Sequence, residues 1–372
     1  MKLLYLSTWD FTNEASDGVC KKIRSQISVF EKKGFDVDFV YIRDGKVIYQ
    51  ESGQERSVGS VGAIKKTPAY MKMYKHLKEK KYDWVYNRYG MMDTFYYRML
   101  KRLHCNGARI LIEIPTYPYI YEKPDGFLYQ IMFYWDIFYI NKLKKIADRI
   151  ITYSKDQEIY SIPTISIMNG VNVSNITTIS GEQNDNAIDL LVVALMQPYH
   201  GYERLLYGLK QYYERGGNRK ILCHFVGEGS EKKYYEEIVA QNHLEKYVFF
   251  YGNKGGQELD KIYDKADIGV CSLGSYKKGI YWSSELKSRE YLAKGIPIIV
   301  GMDIDILDFI DDNYYIQFPN DETVIDINLI VEFYDRVYQN DSRTEVIKKI
   351  RGEAESYINI EATMQPVCEY MH

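Results

Sequence analysis

Short apolar runs separated by amphipathic stretches of helical period recur along the whole of this 372-residue chain. Lys2–Ser7 reads as a buried strand. A polar loop leads to Gly18, Val19–Lys33 carries a helical pattern closed by Gly34, and Val37–Ile42 is the next strand. Trp84–Asn87, Arg109–Ile114, Ile150–Tyr153 and Thr164–Met168 continue the strand series, with helical patterns between them. Residues 172–188 are polar, lack a period and read as a linker. The alternation then restarts, with strands predicted at Asp189–Ala194, Ile221–Val226, Val248–Tyr251, Ile268–Cys271, Ile296–Val300 and Tyr314–Gln317. Helices are predicted between them, for example at Tyr202–Arg215 and Glu231–Asn242. Continuous apolar strands alternating with helices predict parallel sheets covered on both faces, the doubly wound α/β class. Two such halves follow one another, 1–171 and 172–355, and their natural site lies at the carboxyl ends of the strands, in a cleft between the halves.

Composition narrows the class. At 46% hydrophobic and 27% charged residues the chain reads as a soluble globular protein. The longest apolar stretch, Phe127–Ile140, is interrupted by Gln130 and Asp136 and falls short of the ~20 residues of a membrane helix. The opening MKLLYLSTWDFTN is too short in apolar residues for a signal peptide and reads as the first strand. Five scattered cysteines without a CxxC or Cys/His cluster suggest reduced thiols in a cytoplasmic protein and no metal site. Neither half has GxGxxG after its first strand, and GxxxxGK[ST], HExxH and GxSxG are absent, which argues against dehydrogenase, P-loop, zinc hydrolase and nucleophile-elbow chemistry. Asp303-Ile-Asp305 imitates a metal-binding Asp-x-Asp but reads as loop carboxylates.

The net charge of −3 is uneven. Residues 1–170 carry 27 Lys and Arg against 19 Asp and Glu, a surplus of eight; the remainder carries 21 against 32, a deficit of eleven. The first half therefore suits an anionic partner: a membrane surface, a pyrophosphate-linked lipid or a nucleic acid, the last with no motif to support it. The alternative is a charge that serves solubility only. Within that half, Ile64–Lys81 and Phe127–Lys145 interleave aromatics with lysines. In the second of these, Phe133, Tyr134, Trp135, Phe138 and Tyr139 precede Lys142, Lys144 and Lys145, a pattern suited to a membrane interface or simply to a core stripe.

The sharpest chemistry is in Ser283–Ile299, SSELKSREYLAKGIPII. It predicts a helix that begins after a Ser-rich turn and stops at Gly295, with Pro297 beyond. Lys287 and Glu290, three apart, share a face near its start, where free backbone N–H groups and the helix dipole favour an anion. A cation for phosphate beside a carboxylate for hydroxyls is what a nucleotide sugar requires; the plain alternative is a surface ion pair.

With these residues the chain resembles the retaining glycosyltransferases of family four, which have the GT-B fold. The resemblance spans nearly the whole chain. Its carriers are His200-Gly201-Tyr202-Glu203-Arg204-Leu205-Leu206, Phe225-Val226-Gly227-Glu228-Gly229, Phe249–Gly252 with Glu258–Ala266, Lys287–Pro297, Ile112–Tyr119 and Asn169-Gly170-Val171. It implies two Rossmann-like domains facing across a cleft, with a C-terminal helix at 356–372 packing back on the first. It also implies roles. Leu286 and Lys287 would present N–H groups to the donor diphosphate, with Lys287 neutralising it, and Glu290 would bind ribose hydroxyls. Gly227 and Glu228 would line the donor site, Lys254 would wall the base pocket, and Gly18 would close the diphosphate from the first domain.

The family's Glu-x7-Glu is not kept: Trp282 stands eight before Glu290, where it would stack on the sugar, and Glu285 is three residues away. Ala194 and His200 occupy places that often hold Arg and Lys, with Arg204 one turn on as a substitute. Thr116 and Tyr117 stand on the acceptor side where relatives have a His. The expectation is a cytoplasmic, metal- and cofactor-independent retaining hexosyltransferase, with peripheral attachment to the inner membrane face as an option. It would use a nucleotide-sugar donor, expected to be a UDP-hexose, and a glycan or polyprenyl-pyrophosphate-linked acceptor of surface polysaccharide synthesis. Two alternatives stay open: a GT-B partner subunit without turnover, and a nucleotide-sugar epimerase.

Overall fold

The computed structural model describes residues 1–14, 18–61, 66–115, 117, 127–181 and 186–372. The chain divides into two compact units, Met1–Ile167 with Thr363–His372, and Met168–Ala362. In the first, β1 (Lys2–Asp10), α1 (Gly18–Lys32) and β2 (Asp36–Arg43) open the unit, followed by β3 (Lys46–Glu51), β4 (Gln54–Ser60) and α2 (Lys66–Leu77). Then come β5 (Trp84–Arg88), α3 (Thr94–Cys105), β6 (Arg109–Ile114), α4 (Phe127–Ile140), β7 (Arg149–Thr152), β8 (Glu158–Ile159) and β9 (Ile162–Ser166). Among the described residues the sheet order is β4-β3-β2-β1-β5-β6-β7-β9-β8. The six strands from β2 to β9 are parallel, while β3, β4 and β8 pair antiparallel. The chain leaves β1 toward β2 and later returns on its other side as β5. The carboxyl ends of β1 and β5 therefore flank a topological switch point.

The β3–β4 hairpin was not expected. Asp44-Gly45 turns β2 into β3 and Ser52-Gly53 turns β3 into β4, with positive φ at both residues of each, 50° and 66°, then 49° and 77°. Mirror-image turns of this kind match the right-handed twist of the flanking strands.

The second unit contains β10 (Ile188–Val193), α5 (Glu203–Glu214), β11 (Ile221–Val226), α6 (Lys232–Gln241), β12 (Val248–Phe250), α7 (Gly256–Tyr263) and β13 (Ile268–Val270). These are followed by β14 (Trp282–Ser283), α8 (Leu286–Lys294), β15 (Ile298–Val300), β16 (Asp303–Ile304), β17 (Tyr315–Gln317), α9 (Ile327–Tyr338) and α10 (Arg343–Tyr357); α11 (Ile360–Met371) ends the chain. Its six-stranded sheet, β12-β11-β10-β13-β15-β17, is wholly parallel, and β14 and β16 form a separate ribbon. Strands such as β13 and β15 are buried along their length, as their unbroken apolar runs require.

The boundary expected at 171/172 falls at 167/168. The reason is hydrogen bonding: Asn169 N–H donates to Ser284 Oγ at 2.8 Å and Val171 N–H to Ile358 O at 3.0 Å, tying this strip to the second unit. At the other end, Thr363–His372 rather than 356–372 joins the first unit. Met364 meets Gln26, Arg109 donates to the Tyr370 hydroxyl at 2.8 Å, and the His372 ring packs on Phe35. Among the described residues no helix is long and apolar enough to cross a membrane. Within α4, Asp136 is buried and accepts from Met92 N–H at 2.6 Å, whereas Tyr134, Trp135 and Phe138 are exposed.

Candidate functional site

In the second unit the expected donor residues gather at the carboxyl ends of β10, β11 and β13 and at the start of α8. Glu285 caps α8 from an extended conformation, and Gly295 ends the helix in the left-handed region at φ 82°. A Cβ on Gly295 would sit 2.6–2.9 Å from Ile347, so the helix stop is also a packing requirement. Leu286 is exposed and Lys287 half-buried, both in the first turn, where N–H groups lack intrahelical partners. Glu290 lies one turn on and is exposed.

The Lys287 ammonium donates to the Tyr202 hydroxyl at 3.2 Å. Burial lowers its pKa, and Glu285, Cys271 and Glu290 work in the opposite direction. Glu285 raises the pKa of both Lys287 and the buried Cys271 thiol, so a carboxylate does stand beside Lys287, supplied three residues after Trp282.

The turn into α8 is held by Arg289, which is fully buried. It donates to Asn169 O at 3.1 Å, Glu285 O at 3.0 Å, Ser288 Oγ at 2.8 Å and Ser284 Oγ at 3.2 Å, and pairs with Asp305. Arg289 and Asn169 are positioning residues whose role the sequence reading missed. Their partners are backbone carbonyls, serine hydroxyls and Asp305, which no local spacing in the sequence signals. Asp305 of the Asp-x-Asp look-alike is thereby committed to Arg289, and among the described residues no group of three His, Cys, Asp or Glu could hold a metal.

His200 sits beside Lys287 and is buried. Its Nδ1 accepts from Gln197 N–H at 3.1 Å, and its ring stacks on Tyr202 at 5.5 Å. Burial first, then Lys287 and Lys278, push its pKa down to about 3. The imidazole is therefore neutral at pH 7, and with Nδ1 accepting, its proton is on Nε2. Two lysines around a neutral imidazole leave a positive local field, and an anion is the species that relieves it. His200 O also accepts from Leu273 N–H at 2.7 Å, where Gly201 and Gly274 touch; a Cβ on Gly201 would lie 2.6 Å from Gly274 Cα.

Other expected residues do different work. The Arg204 guanidinium was assigned to phosphate as a substitute cation. It is buried and donates to Thr323 O at 2.7 Å, Pro319 O at 2.9 Å and Leu273 O. Three of its five N–H donors go to carbonyls of separate loops, so it clamps those loops together. Gly227, φ 125°, was expected to admit a ligand; instead a Cβ there would lie 2.0 Å from Ala194 O. Glycine is needed because the loops after β10 and β11 approach so closely. Glu228 accepts from Lys232 at 2.8 Å and lies against Gly252, while exposed Lys254 pairs with Glu258 at 3.2 Å. These two side chains are thus paired on the edge that follows β11 and β12. Trp282 belongs to the β14–β16 ribbon opposite Asp303 and is half-buried.

In the first unit Gly18 starts α1 with open space around it: a Cβ there would meet nothing within 4 Å. Among the described residues nothing demands glycine at that place. Tyr117 packs edge-on against Tyr160 with centroids 6.0 Å apart. Thr116 lies outside the described residues. A concavity of about 640 Å³ lined by Thr8, Trp9, Asp10, Thr12, Asn13, Asp44 and Gly45 adjoins the carboxyl ends of β1 and β2.

Two Rossmann-like units with parallel sheets are the architecture of the GT-B glycosyltransferases, and that is the fold of this chain. Residues 177–325, which hold every second-unit residue discussed above from Ala194 to Asp305, match the family model described as glycosyl transferases group 1. Among solved structures, the chain is similar to a sucrose-phosphate synthase from Thermosynechococcus elongatus, with TM-score 0.65, 16% identity, and 99% of this chain and 98% of that one covered. It is also similar to Anabaena HepE in complex with UDP, with TM-score 0.62, 12% identity, and 100% and 99% covered. A third is the apo form of the lipopolysaccharide outer core galactosyltransferase WaaB, with TM-score 0.61, 14% identity, and 100% and 99% covered. No curated protein matches the sequence.

Proposed function

We propose that the protein is a metal-independent, retaining glycosyltransferase that moves a hexose from a UDP-sugar to a glycan or lipid-linked acceptor in surface polysaccharide synthesis, at the cytoplasmic face of a membrane. The observation that carries this reading is the start of α8. Lys287 and the free N–H groups of Leu286 and Lys287 stand beside a neutral His200 within the segment that matches the family model. A departing nucleoside diphosphate develops negative charge, and fixed donors in a partly desolvated place stabilise it most when that charge is largest. His200, with Nδ1 accepting from Gln197 N–H and its remaining N–H turned to the Leu195 carbonyl, borders this place without adding a charge. Glu290, exposed one turn away, suits the ribose hydroxyls. No protein nucleophile is required if the leaving phosphate itself takes the acceptor proton on the same face. UDP as the donor nucleotide is supported by HepE, which has been solved with UDP and with UDP-glucose. Membrane docking is supported by α4, where Tyr134, Trp135 and Phe138 are exposed just before Lys142, Lys144 and Lys145.

The test is a thermal-shift panel of UDP, GDP, ADP and their sugar conjugates against the wild type and Glu290→Ala, since a ligand bound to the folded state raises the midpoint. A shift with UDP and its sugars that shrinks in the variant supports the reading. No shift with any nucleotide would overturn it. UDP binding without transfer to any acceptor would favour the partner-subunit reading, for which the loss of Glu-x7-Glu at Trp282 is the motivating observation.

A further inference from the structure

The loop after β13 carries two adjacent lysines that do different work. Ser275–Lys278 makes a short helical turn, which Gly279 ends in the left-handed region at φ 65°. Lys277 pairs with Glu203 at the start of α5. The Lys278 ammonium instead lies 3.7 Å from the centre of the Tyr199 ring, and among the described residues no carboxylate pairs with it. A ring face attracts a cation but takes up none of its N–H donors as fully as an oxygen would.

Tyr199 leads from there to the start of α8. Its ring lies 4.6 Å from the His200 ring, which stacks at 5.5 Å on Tyr202, and the Tyr202 hydroxyl accepts from Lys287. The contacts thus run from Lys278 through Tyr199, His200 and Tyr202 to Lys287, and the two ammonium groups border one buried imidazole from separate loops. The turn that carries Lys278 is fixed at both ends. His200 O accepts from Leu273 N–H at 2.7 Å, Tyr276 N–H donates to Asn320 Oδ1 at 3.0 Å, and Asn320 Nδ2 donates to Ile280 O at 2.8 Å. Anchoring of this kind lowers the ordering cost of using the lysine on a ligand.

We propose that Lys278 is the second cation of the diphosphate site, acting with Lys287 and supplying from another loop the charge that Ala194 and His200 do not. The ligand is the pyrophosphoryl group of the nucleotide-sugar donor, an identity that rests on the glycosyl-transfer reading. As the bond from the sugar to the phosphate oxygen breaks, its electron pair stays on that oxygen, and two fixed cations stabilise the added charge better than one. Asn320 is a positioning residue that holds the turn.

The experiment follows the binding of inorganic pyrophosphate and, separately, UDP by calorimetry in the wild type, Lys278→Gln, Lys278→Arg and Lys277→Gln. Lys278 is exposed, so its replacement removes a charge without unpacking the fold. Both ligands should bind Lys278→Gln roughly tenfold more weakly, and Lys278→Arg should recover most of the loss. Lys277→Gln, which removes the same charge one residue away, should stay close to the wild type. Wild-type affinity in Lys278→Gln, or an equal loss in both glutamine variants, overturns the assignment and leaves the transferase reading standing. Pyrophosphate binding that weakens in Lys278→Gln while UDP fails to bind even the wild type keeps the anion site and strikes the transferase reading. A wild type that binds neither ligand overturns the site.

Discussion

His200 offers the most demanding check on the site as described. Its pKa in the folded protein is pushed down to about 3 from an ordinary 6.5, first by burial and then by Lys287 and Lys278. A depressed pKa means that the unfolded chain binds a proton the folded chain refuses. This stability is fully present above pH 6.5, is lost progressively as the pH falls, and is gone near pH 3. Between pH 7 and pH 5 the unfolded histidine protonates while the folded one does not, which costs about 2 kcal/mol of stability from this group. The perturbation is His200→Asn, whose side-chain oxygen can still accept from Gln197 N–H while having no titration. The assay is urea unfolding of wild type and variant at matched pH between 5 and 8, read as the difference between the two so that other groups cancel. The wild type should lose about 2 kcal/mol more than the variant on going from pH 7 to pH 5. Parallel curves would refute the reasoning, because a histidine protonated at pH 5 in the folded state could not lie buried between two lysines. The same neutrality predicts that nucleotide binding shows no titration step near pH 6.5 attributable to His200.

Three further outcomes follow from the geometry. Arg204→Met should destabilise the second unit by about 2–5 kcal/mol in thermal or urea unfolding, since three carbonyls lose a charged donor; a stable variant that had lost only ligand affinity would restore Arg204 to the ligand site. Gly227→Ala should cost about 2 kcal/mol or more through the clash with Ala194 O at positive φ, whereas Gly18→Ala should leave stability within about 0.5 kcal/mol, a contrast visible in one melting experiment. Glu290→Ala should weaken UDP binding by about 1–3 kcal/mol without lowering the melting temperature of the free protein, because the side chain is exposed; equal affinity by calorimetry would remove Glu290 from the ribose.

The strand and helix alternation, both parallel sheets and the start of α8 were legible in the chain because each rests on local chemistry. Fully buried strands such as Ile221–Val226 must be apolar on both faces, and a helix with Gly295 and Pro297 behind it stops where the pattern says. The β2–β3–β4 meander was also legible, in the turns Asp44-Gly45 and Ser52-Gly53, but its exposed outer strand, QERSVGS, lacks the apolar run by which the other strands were found.

Tertiary structure alone decided what several side chains do. Arg204 looked like a phosphate ligand because a sequence shows its charge but not the three carbonyls that surround it. Gly227 looked like a gap for a ligand because a sequence shows the missing Cβ but not the Ala194 carbonyl that needs the space. Trp282 stands at the position the motif spacing selects, yet Glu285 is the carboxylate that reaches the Lys287 neighbourhood, since a ribbon and a helix cap turn successive residues in different directions. Arg88 and Glu113 are 25 residues apart in the chain and meet only because β5 and β6 lie side by side. Residue type and period are encoded along the chain; which donor meets which acceptor depends on where strands and loops converge in space, and that is set by the packed sheets.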